Sequence, residues 1–271
     1  MSIAGKSARW VILGVFTLIT LLPLLWLVMS SLKSNAEVFA SPFGLPKEWL
    51  FSNYADALAA HPMHLYLRNS IGAALIATVL IIVASLMAAY ALMHRFALSK
   101  FTFGFLMFGI LLPVNALMTP IFFIVNMLGL YNSVVGLALV YGGLFFPLGF
   151  LIIKTYMDTT PLEIFEAARM DGAGFHSIFL RIAAPLTSPG AITAGIFIMI
   201  TAFNELLFAS ILTTDEQAQT VQVGVRYFLT TYSANYPLAF AATVIGMAPT
   251  VVVYMILSDR IVAAMTAGSL K

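Results

Sequence analysis

The sequence predicts an all-α protein that crosses a membrane six times as a single domain over residues 1–271. Three observations carry this. First, 61% of the residues are hydrophobic and 9% charged, against roughly 45–50% apolar and about 25% charged in an ordinary soluble domain. Second, the runs Trp10–Leu32, Asn69–Met93, Phe101–Ile153, Ile182–Asn204 and Tyr227–Ser258 hold no Asp, Glu, Lys or Arg. Each is long enough for a spanning helix of about 20 residues, and the third is long enough for two. Third, that long run is interrupted at Asn126–Ser133, "NMLGLYNS", where Asn, Gly and Ser supply turn chemistry between two apolar stretches.

Taken in order, the spans are expected near residues 10–32, 70–93, 103–125, 134–153, 188–212 and 238–258. The first run holds 23 residues, longer than the roughly 7–15 of a signal-peptide core, so it reads as a retained span. Residues 33–69 form an outer cap with Pro/Gly turns and an amphipathic patch around Trp49–Leu58. Span three contains Pro113 and Pro120, which lack the N–H of a helix ladder and kink it. A second outer segment, Thr213–Pro237, carries Arg226, Tyr227, Phe228, Tyr232 and Tyr236.

With six spans both termini share a side. That side holds Lys6, Arg9, Arg95, Lys100, Lys154, Arg169, Arg181, Arg260 and Lys271, nine bases against the four at Lys33, Lys47, Arg68 and Arg226. Positive charge concentrates on the cytoplasmic side, so both termini are expected in the cytoplasm. The chain has no cysteine, which excludes disulfides, thiolate metal sites and thiol nucleophiles. A net charge of +2 gives no case for nucleic acid.

Between spans four and five, residues 154–187 make the longest cytoplasmic loop. Thr160 is placed to cap a helix, with Pro161 at its first position and Glu163 three residues after the cap. Leu162, Phe165, Ala168 and Met170 are its apolar residues, leaving Glu163, Glu166 and Arg169 for polar faces. Gly172 and Gly174 admit positive φ and permit a sharp turn. A second short helix then runs through Phe175, Ile178, Phe179 and Ile182 to Pro185.

These residues resemble the permease subunits of ATP-binding-cassette importers. The family signature is Glu-Ala-Ala, three residues, Gly, nine residues, then Ile-x-Leu-Pro; Glu166, Ala167, Ala168, Gly172, Ile182 and Pro185 fall on it, and Ala184 replaces the Leu. "FNELLFA" (Phe203–Ala209) and the tail "RIVAAMTAGSLK" (Arg260–Lys271) resemble motifs of the carbohydrate branch, in particular the second, shorter permease of the maltose type. The resemblance implies the type I importer fold and transport of a sugar or sugar-like solute without chemistry by this chain. It also implies a heterodimer with a second permease, two ATPase subunits that hold the ATP and Mg, and an extracytoplasmic solute-binding protein. The setting would be the cytoplasmic membrane of a bacterium or archaeon, with no cofactor on this chain. Glu166, Ala167, Ala168, Asp171, Gly172, Ile182 and Pro185 would form the ATPase-coupling loop, the two alanines allowing close approach to a groove on the ATPase.

Glu205 is the charged residue well inside a predicted span, where burial costs on the order of 3 kcal/mol. Asn115, Thr201, Asn204 and Glu205 are the candidate pathway residues; for Glu205 a structural hydrogen bond to another span is the competing reading. Three features are set aside. "GKS" at Gly5–Ser7 has no leading glycine or strand for a phosphate-binding loop. His61 and His64 have Pro62 between them and no third ligand. An intramembrane enzyme lacks a ligand set, since the four histidines fall in predicted loops. The alternatives are a permease for a non-sugar solute and an autonomous channel or ion-coupled carrier, the latter needing intramembrane charges.

Overall fold

The computed structural model describes the backbone of residues 3–94, 96–229 and 235–267, and side chains of 9–94, 96–229 and 235–256. The helices are α1 (Ile3–Ser31), α2 (Asn35–Ala40), α3 (Ser52–Ala60), α4 (Met63–Met93), α5 (Ser99–Phe108), α6 (Met118–Met127), α7 (Val134–Met157), α8 (Leu162–Met170), α9 (Phe175–Ile178), α10 (Ala184–Leu186), α11 (Ser188–Phe203), α12 (Leu207–Leu212), α13 (Val221–Val225) and α14 (Tyr236–Ala267). Among the described residues there is no strand. Four stretches of the described residues are long and apolar enough to cross a bilayer unbroken: Arg9–Ser31, Met63–Met93, Val134–Met157 and Tyr236–Ile256. Two bent pairs, Ser99–Leu111 with Val114–Met127 and Phe175–Leu186 with Ser188–Phe203, bring the total to six if each is one crossing.

Three span expectations need correction. Span two starts earlier, at Met63, so Arg68 and His64 lie in helix instead of loop. Span three is not continuous over 103–125 but turns through 96° between Leu111 and Val114. Leu112 is extended (φ −72°, ψ 127°) and Pro113 follows it, because proline pushes the residue before it out of the helical region and cannot continue the ladder. Span five stops at Phe203 and resumes at Leu207 after a break at 204–206. The Asn126–Ser133 turn stands where the sequence put it: Gly129 (φ +68°) closes α6, and the Ser133 side chain caps α7 by accepting from the Gly136 N–H.

The chain divides into two compact units, residues 1–64 with 223–249 and residues 65–222 with 250–271. In the first, the cap is knotted onto the end of α1. Asn53 donates to the carbonyl of Ser31, the last residue of α1 (2.8 Å), and to that of Lys33 just beyond it (2.9 Å), which satisfies groups left open where the helix ends. Lys33, only 1% exposed, donates to the Ser41 and Pro42 carbonyls, and the Trp26 indole donates to Pro42 as well. The Trp26 ring meets Phe240 edge-on. His61 stacks on Tyr227 and meets Phe228 edge-on, a packing role.

In the second unit α4, α7 and α11 pack around Ile81, Phe150, Ile153, Ala194 and Ile198, all buried. Small residues let helices approach closely in lipid, where no hydrophobic drive joins them. A Cβ on Gly149 would collide with Ile81 and come within 2.8 Å of Ile198. The bend in span three leaves an aliphatic groove of ≈ 360 Å³ against α7, between Leu112, Ile121, Leu139 and Leu144.

Candidate coupling and pathway sites

The 154–187 loop leaves α7 through the i,i+4 ion pair Lys154–Asp158, an exposed contact worth about 0.3–0.5 kcal/mol. Pro161, not Thr160, occupies the N-cap of α8, and no side chain caps it; the expected capping box is absent. Phe165 and Ala168 are buried, whereas Glu163, Glu166, Ala167 and Arg169 are exposed; contrary to expectation the apolar Leu162 and Met170 are exposed as well. The two alanines of the motif thus part company: Ala168 roots α8 in the core cluster, and Ala167 is presented outward.

Beyond α8 the backbone closes as a Schellman turn. The Ala173 N–H donates to the Ala168 carbonyl (2.9 Å) and the Gly172 N–H to the Arg169 carbonyl (3.0 Å). Gly172 has φ +83°, and a Cβ there would meet nothing within 4 Å. Backbone conformation, not crowding, therefore selects glycine. Gly174 differs from expectation: its φ is −72° and it stands at the N-cap of α9.

From α9 the chain passes through a π turn at Phe179–Ala183 into α10 and bends by 67° before α11. Pro189 in the first turn of α11 supplies no N–H across that bend. Asp171 and Pro185 are exposed and Ile182 is half-buried. Ala183 is the fully buried position, while Ala184, the departure from the motif, is half-buried.

Tyr90 and His94, at the end of α4, hold the elbow and are not among the residues to which the sequence points. The Tyr90 hydroxyl donates to the Phe175 carbonyl at 3.2 Å, and its ring lies 4.8 Å from Phe175 and 5.3 Å from Phe179. His94 packs on both Tyr90 and Phe175. Two aromatic rings one helical turn apart at a span end were the available signal. A cleft of ≈ 230 Å³ opens beside them, lined by Tyr90, His94, Phe165, Glu166 and Arg169 among others.

The pathway candidates separate into three groups. Asn115 is exposed in the 3₁₀ turn Val114–Leu117 that follows the span-three break, and it does not line the aliphatic groove. Thr201 and Asn204 are exposed near the end of α11. Thr201 back-bonds to Phe197; Asn204 bonds to Ile200, accepts from Gln222 at 3.2 Å and reaches Thr250 at 3.5 Å. Glu205, by contrast, is half-buried in the break. Its carboxylate accepts from the Phe208 N–H (2.9 Å), the Ala209 N–H (3.1 Å) and the Tyr141 hydroxyl (2.9 Å). It caps α12 and ties that helix to α7, where the positive end of a helix favours an anion. Among the described residues no group of three or more His, Cys, Asp or Glu could hold a metal ion.

Four unbroken apolar helices, two bent pairs and a glycine elbow between short helices define a multi-pass membrane protein. Residues 80–267 match the family described as binding-protein-dependent transport system inner membrane component, and the chain belongs to that family. It is 33% identical over 273 residues to the trehalose transport system permease protein SugB of Mycobacterium tuberculosis, covering 99% of each chain. It is 31% identical to the sulfoquinovosyl glycerol transport system permease protein SmoH of Agrobacterium fabrum, over 99% of this chain and 95% of that one. To the trehalose/maltose transport system permease protein MalG of Thermococcus litoralis it is 31% identical, over 94% and 92%. A solved bacterial ABC transporter involved in importing the acidic polysaccharide alginate contains a chain of the same fold, with a TM-score of 0.80 at 24% identity, over 96% of this chain and 98% of that one. The tail "RIVAAMTAGSLK" has side chains outside the described residues, as do Lys6 and Arg95.

Proposed function

We propose that the chain is one permease subunit of an ATP-driven, binding-protein-dependent importer for a sugar or sugar-like solute. The trehalose, trehalose/maltose and sulfoquinovosyl glycerol systems named among its relatives support that substrate class. The chain performs no chemistry. A second permease completes the pathway as a heterodimer, two ATPase subunits bind and hydrolyse ATP with Mg, and an extracytoplasmic binding protein delivers the solute. Both termini lie in the cytoplasm, on the side of the coupling loop.

The observation that carries this reading is the two-faced α8. Phe165 and Ala168 anchor it to the core, and Glu166 and Ala167 face outward beside a Schellman elbow. A short helix with a small residue and a carboxylate on its outer face suits a groove on a partner, with Glu166 accepting from a cation or backbone donors there. Closure of the ATPase pair then displaces α8 and, through the elbow, α11 and α7. This biases a two-state bundle whose other bias is the loaded binding protein. Asn115, Thr201 and Asn204 are pathway contacts for solute hydroxyls.

The test is to purify the chain with its genomic neighbours and reconstitute the complex in liposomes. An ATPase should accompany it, and solute-loaded binding protein should stimulate hydrolysis and uptake. Glu166→Lys should leave the chain inserted but depress ATPase recovery and transport. Uptake by this chain alone, or undiminished transport by Glu166→Lys, would overturn the reading.

A further inference from the structure

α4 is a 31-residue helix without proline and with the single glycine Gly72. Ala73, Ala74, Ala77 and Ala89 are fully buried along it. Nothing in that sequence invites a kink. Asn69 and Tyr90 are separated by about 32 Å of helical rise, close to the roughly 30 Å of a bilayer core.

Each end of this rod is fastened to a different loop. At the outer end, Asn69 is 4% exposed and spends both amide hydrogens on the outer segment, donating to the Gln217 and Gln219 carbonyls at 2.9 Å each. Ser70 accepts from the Val221 N–H at 2.9 Å. The outer loop is further stiffened by Asn132, whose side chain accepts from the Thr214 and Asp215 N–H groups. Its tip, Thr214–Gln217, is exposed. At the inner end, Tyr90 is 2% exposed and holds the elbow through the Phe175 carbonyl and the Phe175 and Phe179 rings. Shifting or rotating α4 must therefore move both loops or break buried bonds at one end.

We propose that α4 is a connecting rod between the outer loop Thr213–Val221 and the coupling elbow, with Asn69 and Tyr90 as the positioning residues at its two ends. The proposal rests on the importer reading given above. A binding protein pressing on the outer loop alters the elbow presented to the ATPase through span two, in addition to spans four and five. Coupling of this kind is reciprocal in binding free energy, so the nucleotide state of the ATPase also alters the affinity for the binding protein.

The test uses the complete reconstituted complex and the ratio of hydrolysis with loaded binding protein to hydrolysis without it. Asn69→Ala and Tyr90→Leu, each recovered with its ATPase, should lower that ratio about fivefold or more, the lower end of typical coupling. The double variant should fall no further than the weaker single variant, because either break disconnects the same rod. Tyr90→Phe, which keeps the ring contacts, should restore most of the stimulation. If Tyr90→Leu is not recovered, Phe179→Ala trims the same contact from the elbow side and is read in its place. A wild-type ratio in either single variant, or losses that multiply in the double, would overturn the rod. Absence of stimulation in the wild-type complex would overturn both the rod and the importer reading, whereas failure of the rod alone appears only in the variants.

Discussion

Gly172 offers a test of the coupling elbow in which the conformational and steric effects of a substitution can be separated. Its φ of +83° closes the Schellman turn, and a Cβ there would stand in open space within the chain. The left-handed conformation costs an L-residue about 1–2 kcal/mol, and a β-branched residue fares worse at positive φ. Gly172→Val should thus shift the elbow away from its native turn by roughly 5- to 30-fold. Gly172→Asn, a residue that tolerates this region, should retain much of the native population. Binding-protein-stimulated hydrolysis and uptake, normalised to chain recovered in the membrane, should rank wild type, then Asn, then Val. Equal activity of Val and wild type would refute the conformational argument. Equal damage by Asn and Val would show instead that the open space is filled by the docked partner.

Gly149→Ala should lower the apparent Tm of the detergent-solubilised complex, since overpacking costs about 1–3 kcal/mol, whereas Gly143→Ala, where a Cβ meets nothing within 4 Å, should be neutral or stabilising. Glu205→Ala should destabilise the protein by about 1–3 kcal/mol for the stranded donors, read as a lower Tm, with the solute KM of the surviving protein unchanged. Asn204→Ala should do the reverse, raising the transport KM with little effect on Tm; a KM effect confined to the Glu205 variant would exchange their roles.

The four unbroken candidate crossings and the two bent pairs were legible as apolar runs, and the elbow was legible because Gly172 sits where a helix must stop. Proline marked the span-three break, but whether such a site kinks by a few degrees or turns through 96° is decided by what packs on either side. The opposite orientations of Ala167 and Ala168 depend on which way α8 rolls to seat Phe165 in the core cluster, and local periodicity over nine residues fixes that poorly. Tyr90 and Phe175 are 85 positions apart, so their contact is a product of tertiary structure alone. The sequence places Glu205 well inside a predicted span. Only the fold reveals the interruption that turns its carboxylate into a cap.

That reassignment bears on where the energy for transport enters. An ion-coupled carrier keeps ionisable groups at membrane depth that can gain and lose a partner. Here the carboxylate at the span-five break is engaged by two backbone donors and the Tyr141 hydroxyl, and removing it from that role would uncap α12. The side chains that remain exposed nearby, Thr201 and Asn204, are neutral: they can bind a hydroxyl but cannot carry a proton or balance a cation. On the importer reading proposed above, work on this bundle is supplied mechanically, through a surface joined to the core and offered to a partner. α8 has that construction, with Phe165 and Ala168 buried beneath an exposed Glu166 and Ala167, and the hydrogen-bonded turn at Gly172 keeps the following helix at a defined angle to it.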